Sequence, residues 1–534
     1  MKRAVSLIFG LILIANMVFS QNRYPIVPYP NKLIATEGEF RFKGILKVVA
    51  GKTFKSELET LKPIFEEEYF TQLISSKSGS LVVVKNETLT KEAYKLIVTR
   101  EKIRIEASAG AGYYYAFQTI RQLMQLNGDG SYSIPACTIE DQPAFAWRSF
   151  LLDEGRFFQG AKVVKSLLDQ MAYMKMNVFH WHLTDDQGWR IEIKKYPLLT
   201  SVGGWRDSTC LRRSYLVGTN PDILTAWKNE DTMVPEAGGG YYTQAEIREI
   251  VAYAAKRHIT IVPEIDVPGH ITAAIVAYPW LTAIAAPQKV PAKWGIYKYA
   301  LNVTDDRVNT FVKDVFTEVM DLFPGKVIHI GGDEVKYDSW KDNPEIKQYM
   351  QNNGLKTFAD LHIDFTNRLS VFLQQHGRSL MGWNEIMGNV HVEKGSQNAQ
   401  SKLAKNSVIQ FWKGNEQQFT EILDQGYDMV NSDRYFTYFD WGIERTPLDK
   451  IYHFSVIPKG LSAQQAKHII GVGGEMWGEI TPTVIAVNQR TFPRIAAIAE
   501  LGWTLEENKD YSRFSIALMN LKKYWLKNGI LFLE

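Results

Sequence analysis

Eight short apolar segments, separated by stretches with helical patterns, constrain the fold of this chain more than any other feature. Each is rich in Val, Ile, Leu or Phe, as expected for a strand that is buried on both faces. The segments are Ser149–Asp153, Asn177–His182, Thr260–Glu264, Val327–Gly331, Ser379–Trp383, Ser407–Trp412, Asp428–Ser432 and Ile469–Gly473. Strands that alternate with helices form parallel sheets, and eight of them close into a barrel. The sequence therefore predicts an α/β fold, a (β/α)₈ TIM barrel.

Most intervals between these segments have the apolar period of an amphipathic helix. One apolar stripe runs from Val163 to Met174 and another from Val308 to Met320. Thr243-Gln244-Ala245-Glu246 has the sequence of a capping box at a helix start. The interval 200–242 has no such period and is rich in Gly, Trp and Arg, so we interpret it as an insertion after the second strand, at the rim of the barrel.

A small α+β sheet domain is predicted to precede the barrel. Residues 94–98 and 102–106 alternate like the two strands of a hairpin, Leu81–Val84 is a further strand, and Gly112–Leu126 has a helical pattern. Asp141-Gln142-Pro143 marks a boundary. We therefore expect the α+β domain over 21–143 and the catalytic barrel over 144–534.

The first twenty residues have the pattern of a secretory signal peptide. Lys2 and Arg3 precede the apolar run Ala4–Phe19, and Ser20-Gln21 is a suitable cleavage point. We expect an exported protein, periplasmic or secreted. No later apolar run is long enough to cross a bilayer, which argues against stable membrane insertion.

Charge and cysteine content exclude several classes of function. The net charge is +3 and the basic residues are dispersed, which argues against nucleic-acid binding. Only Cys137 and Cys210 are present, which excludes a disulfide framework and a cysteine-based zinc site but leaves open whether the two pair.

The strongest candidate for chemistry is the stretch His329-Ile330-Gly331-Gly332-Asp333-Glu334-Val335, where two carboxylates follow the fourth strand. In a parallel barrel that end carries the active site. A carboxylic acid can protonate a glycosidic oxygen, and repulsion from Asp333 is expected to raise the pKa of Glu334 for this task. In an extended chain, the side chains of neighbouring residues point to opposite sides. Asp333 and Glu334 are therefore poorly suited to act as nucleophile and acid on one bond. The nucleophile is therefore expected elsewhere, on the substrate.

Polar and aromatic residues at the other strand ends support this hypothesis. Trp383, Trp412 and Trp477 are suited to wall an apolar sugar pocket. Arg156, Asp440 and Glu479 are suited to hydrogen-bond sugar hydroxyls.

The strand-end motifs resemble those of family 20 glycoside hydrolases, the β-N-acetylhexosaminidases. The motifs are Leu152-Asp153-Glu154-Gly155-Arg156, His180-Trp181-His182-Leu183-Thr184-Asp185-Asp186-Gln187-Gly188-Trp189, Pro263-Glu264-Ile265-Asp266-Val267-Pro268-Gly269-His270, His329-Ile330-Gly331-Gly332-Asp333-Glu334, Gly382-Trp383-Asn384-Glu385 and Trp477-Gly478-Glu479. The chain departs from the family pattern at Phe157, where His is frequent, and at Val267, where Met is common. The resemblance implies hydrolysis of terminal, non-reducing, β-linked GlcNAc or GalNAc without a cofactor or metal. The substrate is an oligosaccharide or glycoconjugate whose acetamido oxygen attacks the anomeric carbon.

The resemblance also implies a role for each candidate residue. Glu334 is the general acid/base, Asp333 orients the acetamido N–H, and Tyr438 binds the acetamido oxygen. The three tryptophans enclose the acetamide and sugar, Arg156 and Glu479 hold outer hydroxyls, and Asp440 holds the 6-hydroxyl. A supporting network comprises Asp185, Asp266 and His270. Tyr435 is the alternative candidate for the role of Tyr438, because it lies three residues earlier in the same aromatic loop.

Two other functions are compatible with the same residues. His180 and His182 lie two apart on one strand, as in metal-dependent hydrolase barrels, and Asp185, Asp186 and His270 are suited to complete a metal site. A non-catalytic sugar-binding protein would have the same pocket. Such a protein would tolerate loss of Glu334, whereas Glu334 is present in this chain.

Overall fold

A computed structural model describes residues 23–212, 231–235, 239–388 and 398–533, with the backbone alone for 208–212 and 231–235. The predicted signal peptide lies outside the described residues, as does much of the insertion 200–242. No helix in the described ranges combines the length and apolar content needed to cross a membrane.

The amino-terminal part folds as a mixed sheet with two helices. Its strands are β1 Lys32–Phe42, β2 Ile45–Val49, β3 Gln72–Ser75, β4 Leu81–Lys85, β5 Tyr94–Val98, β6 Ile103–Ala107, β7 Gln125–Leu126 and β8 Tyr132–Asp141. They are arranged in the order β1-β8-β5-β6-β4-β2-β3, and β7 pairs with β8. Helices Lys55–Tyr69 and Gly110–Leu123 pack on the sheet. The predicted hairpin is confirmed as β5 and β6. The second helix ends at Leu123 rather than Leu126, because Gln125 and Leu126 pair with β8.

The second part is a closed barrel of eight parallel strands, which confirms the predicted fold. The strands are Trp147–Asp153, Val178–His182, Thr260–Glu264, Val327–His329, Ser379–Trp383, Val408–Phe411, Met429–Asn431 and Ile469–Met476. Each pairs with the next, and the eighth pairs with the first. The fourth ends at His329, before Gly331, because both following glycines have positive φ.

Helices surround the barrel, and the two predicted apolar stripes are buried in Ala161–Tyr173 and Asp306–Leu322. The helices are Ala161–Tyr173, Leu198–Ser201, Gln244–Ala255, Thr272–Ala277, Asp306–Leu322, Asp338–Lys341, Pro344–Asn352, Phe358–Gln375, Glu416–Asp424, Arg434–Thr437, Leu448–Tyr452, Ala463–Ala466, Val484–Thr491, Arg494–Trp503 and Tyr511–Lys527. The predicted capping box is present, with the Thr243 side chain accepting from the Glu246 N–H. Two small antiparallel ribbons complete the structure, Thr184–Asp185 with Gly188–Trp189 and Ser208–Arg212 with Asp231–Pro235.

Cys137 is a free cysteine buried in β8. Burial raises the pKa of its thiol to about 12. The side chain of Cys210 lies outside the described residues, and because Cys137 is free the two cysteines do not pair in this structure.

One buried carboxylate connects the sheet to the barrel. Asp141, at the end of β8, accepts hydrogen bonds from Tyr94 Oη at 2.6 Å, Trp503 Nε1 at 2.9 Å and Lys175 Nζ at 3.0 Å. The Asp141 and Lys175 side chains are fully buried. Removing one member of such a pair leaves the other charge buried without a partner.

We predict that Asp141→Asn destabilises the protein by about 3–5 kcal/mol, the usual cost of leaving one charge of a buried pair uncompensated. Urea unfolding measures the effect. Lys32→Ala is the control, because its pair with Glu140 is largely exposed and contributes little. Equal unfolding midpoints for Asp141→Asn and wild type would contradict this account of the connection.

Candidate active site

A cavity of about 290 Å³ opens at the carboxyl ends of the barrel strands. This is the small end of the range for ligand pockets. Eleven of the twelve predicted site residues line it: Arg156, Asp185, Asp266, His270, Asp333, Glu334, Trp412, Tyr438, Asp440, Trp477 and Glu479. The twelfth, Trp383, is buried among the tryptophans that form one wall, and its Nε1 donates to Glu264 Oε1 at 2.8 Å.

The backbone after the fourth strand brings both adjacent carboxylates to this cavity. Gly331, Gly332 and Glu334 have φ of 63°, 83° and 51°, so the chain is not extended here. A Cβ on Gly331 would lie 2.1 Å from Asp266 Oδ1, which leaves no room for another residue type. The expectation that Asp333 and Glu334 point to opposite sides is therefore wrong.

A single imidazole lies next to both carboxylates. His270 Nε2 is 3.7 Å from Asp333 Oδ2 and 3.8 Å from Glu334 Oε2. One oxygen of each carboxylate and the imidazole nitrogen lie within 4.8 Å of one another. The two carboxylates thus approach His270 from the same side of the cavity.

The opposite nitrogen of His270 is held by two further carboxylates. Nδ1 lies 3.1 Å from Asp186 Oδ2 and 3.4 Å from Asp185 Oδ1. Although burial opposes the charged form, contacts with Asp185, Asp186 and Glu334 raise the pKa of His270 well above its usual value. The resemblance implied Asp185 and Asp266 as supports for His270 but not Asp186, which lies closer to His270 Nδ1 than Asp185 does.

The pKa shift of Glu334 is the reverse of the expectation. Burial favours neutral Glu334, yet the contacts with His270 and Lys413 outweigh burial and lower its pKa. Burial raises the pKa of Asp333 to about 7, and repulsion from Glu385 and Glu334 adds to the effect against the attraction of His270. The predicted rise in the pKa of Glu334 is therefore wrong, because His270 and Lys413 lower this pKa by more than burial raises it.

Lys413 is a part of the site that the sequence did not reveal. Its Nζ lies 2.7 Å from Glu385 Oε1, 3.4 Å from Glu334 Oε1 and 4.1 Å from the centroid of the Trp412 ring. Its position directly after a strand-end tryptophan was the only signal for it in the sequence.

Aromatic side chains form one wall of the cavity. Trp412 and Tyr438 stack with ring centroids 5.8 Å apart and planes 7° apart, and Trp477 lies 6.1 Å from Tyr438. Tyr438 is 5 % exposed and lines the cavity, whereas Tyr435 is 49 % exposed and does not. Of the two competing tyrosines, Tyr438 is the one that faces the cavity.

Charged groups occupy the end of the cavity around the first and eighth strands. Arg156 contacts Asp153 at 2.8 Å and Asp185 at 2.9 Å, and Glu479 lies 3.8 Å away. Burial raises the pKa of Asp440 to about 8, and nearby Glu479 adds to the effect.

Five more residues line this cavity and were not predicted: Trp294, Gly295, Ile296, Arg434 and Trp441. Trp294 Nε1 donates to Glu479 Oε1 at 3.0 Å. It lies in a loop without periodicity, which gave no signal in the sequence.

The metal-dependent alternative required His180 and His182 to act together. Instead, His180 Nε2 and His182 Nδ1 lie 2.9 and 2.7 Å from one oxygen of Glu264. In the described residues, no group of possible ligand atoms within 4.8 Å contains both imidazoles. His180 does not line the cavity. The geometry therefore does not favour this alternative.

Comparisons with known proteins agree with this geometry. The family model described as glycosyl hydrolase family 20, catalytic domain, matches residues 145–506, and the model for domain 2 of the same family matches 23–142. A beta-hexosaminidase of Porphyromonas gingivalis is 31% identical over 93% of this chain, which spans 62% of that protein. A beta-hexosaminidase of Vibrio furnissii is 32% identical over 89% of this chain and 76% of its own length.

Solved structures show the same relationship. An exo beta-N-acetylglucosaminidase of Vibrio harveyi, in complex with N-acetylglucosamine, has a TM-score of 0.82 and 30% identity, covering 96% of this chain and 78% of its own. A beta-N-acetylhexosaminidase of Bacteroides fragilis has a TM-score of 0.79 and 30% identity, covering 95% and 96%. The catalytic-domain match alone spans more than half of the chain, and the chain belongs to glycosyl hydrolase family 20.

Proposed function

We propose that this protein is an exo-acting β-N-acetylhexosaminidase that removes terminal non-reducing GlcNAc or GalNAc by retaining, substrate-assisted hydrolysis. The observation that carries the proposal is the placement of Asp333 and Glu334 on one side of a small pocket walled by Trp412, Trp477 and Tyr438. The names of the relatives and structural neighbours support it. The predicted signal peptide supports export to the periplasm or beyond the cell.

The position of the two carboxylates supports a nucleophile from the substrate. A retaining pair must flank the sugar, with one carboxylate on each face. Asp333 and Glu334 lie 3.7 and 3.8 Å from His270 Nε2, so they share one side of the cavity and do not face each other across it. An acetamido oxygen held against the anomeric carbon replaces the missing carboxylate and gains the advantage of intramolecular attack.

In this mechanism Glu334 gives its proton to the glycosidic oxygen and later takes one from water. Asp333 accepts a hydrogen bond from the acetamido N–H. Its ionised form stabilises the transition state most, because positive charge develops on that nitrogen. The raised pKa values of Asp333 and His270 favour the protonated forms of these two groups, which lie next to Glu334. Transfer of one proton from Asp333 or His270 to Glu334 gives the reactive state.

The remaining residues fix the sugar. Trp412, Trp477 and Tyr438 are suited to enclose the acetamide, and the Tyr438 hydroxyl to hold its oxygen. Arg156 and Glu479 provide partners for the outer hydroxyls, and Asp440 for the 6-hydroxyl. Trp294, bonded to Glu479, closes this end of the cavity, which supports removal of single terminal residues.

We predict that Glu334→Gln lowers the hydrolysis rate of a GlcNAc disaccharide by about 10²–10⁴-fold, the usual contribution of general acid catalysis. The loss should be smaller for an aryl glycoside, whose leaving group needs less protonation. Glu444→Gln is the control, because Glu444 is exposed and does not line the cavity. Unchanged turnover of the disaccharide by Glu334→Gln would refute the assignment. Binding of GlcNAc by the variant shows that a lower rate does not come from a damaged site.

We also predict that Lys413→Met moves the acid limb of the kcat/KM profile to higher pH. Lys413 lowers the pKa of Glu334, so removing Lys413 raises that pKa. The active state carries one proton on the Asp333–Glu334 pair, and activity falls when a second proton binds. That second proton then binds at a higher pH. Lys405→Met is the matched control, since Lys405 is exposed and lies away from the cavity. An acid limb that stays in place, or moves to lower pH, would show that Lys413 does not set the charge of Glu334.

A further inference from the structure

Arg434 lines the mouth of the cavity with a guanidinium whose hydrogen-bonding capacity is largely unused. Its Nη2 donates to Tyr435 Oη at 3.3 Å, and its Nε is buried without a hydrogen-bond partner. No carboxylate of the described residues lies within ion-pair distance of it. A guanidinium presents five donors in a planar fork that fits a carboxylate, so this arrangement leaves a carboxylate site open.

Aromatic rings fix the position of this guanidinium. Its Cζ lies 5.5 Å from the ring centroid of Trp412, 5.2 Å from that of Tyr435 and 5.9 Å from that of Trp441. Cation–π contacts hold the group in place without using its N–H donors. The fork is therefore ordered before a ligand arrives, which lowers the entropy lost on binding.

The other cations of the cavity are already paired. Arg156 contacts Asp153 and Asp185, and Lys413 contacts Glu385 and Glu334. Both ion pairs have a structural role, because each cation holds carboxylates of the site in position. Arg434 has no such task, although it faces the same cavity.

A series of contacts connects Arg434 to the carboxylate assigned as the acid, Glu334. Lys413 Nζ is 3.4 Å from Glu334 Oε1 and rests against the Trp412 ring, which Arg434 also contacts. We infer that the leaving group extends from Glu334 along these contacts toward Arg434. Half-exposed Tyr435 beside it offers an aromatic surface to a second sugar.

We propose that Arg434, with Tyr435 and Trp441, forms a subsite for a leaving sugar that bears a carboxylate. The enzyme then prefers a terminal N-acetylhexosamine linked to an acidic sugar over the same residue linked to a neutral one. This inference rests on the proposed function, because it places the leaving group beside Glu334.

The test compares two disaccharides that differ in one group, GlcNAc β-linked to glucose and GlcNAc β-linked to glucuronate through the same hydroxyl. The measured quantity is the ratio of kcat/KM for the acidic substrate to that for the neutral one. We expect wild type to favour the acidic disaccharide and Arg434→Gln to lower the ratio about tenfold or more, as for loss of hydrogen bonds to a charged group. Arg434→Lys should fall between them, because it keeps the charge but loses the fork.

A purely structural effect of the substitution changes both rates and cancels in the ratio. Arg445→Gln is the matched control: its guanidinium lies 4.3 Å from the Trp441 ring but does not line the cavity, so its ratio should equal that of wild type. An unchanged ratio in Arg434→Gln, or an equal fall in both variants, would overturn the proposal. Absence of cleavage of either disaccharide by wild type would instead refute the proposed function, and the subsite with it.

Discussion

The arrangement of the active site depends on the contacts of one buried imidazole, His270. Its Nδ1 lies near Asp186 and Asp185, and its Nε2 lies near Asp333 and Glu334. Burial alone would remove its charge, but the surrounding carboxylates outweigh burial and raise its pKa. The cation in turn holds two adjacent carboxylates on one side of a single cavity. Without it, Lys413 beside Glu334 would be left to offset their mutual repulsion.

The turn that makes this contact possible is strained and crowded. Glu334 has a positive φ, which costs a non-glycine residue roughly 1–3 kcal/mol. Gly331 lies against Asp266 too closely for any side chain, and the Gly332 N–H donates to the same carboxylate at 3.2 Å. Burial raises the pKa of Asp266 well above its usual value, with repulsion from Asp333 adding to it. The barrel thus stores strain and unfavourable charge at the residues to which we assign the chemistry.

The sequence predicts the barrel and the set of cavity residues well, and for a physical reason. Buried parallel strands are continuous apolar runs, so all eight could be located, and the topology of a parallel barrel brings their carboxyl ends together. Arg156 and Glu479 meet in space although more than three hundred positions separate them, because both follow strands that are neighbours in the closed sheet. Strand ends alone were enough to bring them together.

What could not be predicted depends on backbone turns and on contacts across loops. The extended-chain argument failed at Asp333 and Glu334, because dihedral angles after two glycines are not fixed by residue type. The pKa of Glu334 depends on Lys413, which comes from a different strand end. Trp294 lies on a loop and Arg434 begins a four-residue helix, and both segments are without a period to recognise.

The central claim is that the substrate, and no protein carboxylate, supplies the nucleophile. The most direct measurement compares hydrolysis of an aryl 2-acetamido glucoside with that of its 2-hydroxy counterpart, together with mass spectrometry of the enzyme quenched during turnover. Well-oriented intramolecular attack lowers a barrier by up to about 7–11 kcal/mol. The account predicts that the 2-hydroxy glucoside is almost inert and that no sugar is attached to the protein. Comparable rates on both substrates, with a glycosyl ester on a carboxylate of the protein, would contradict it.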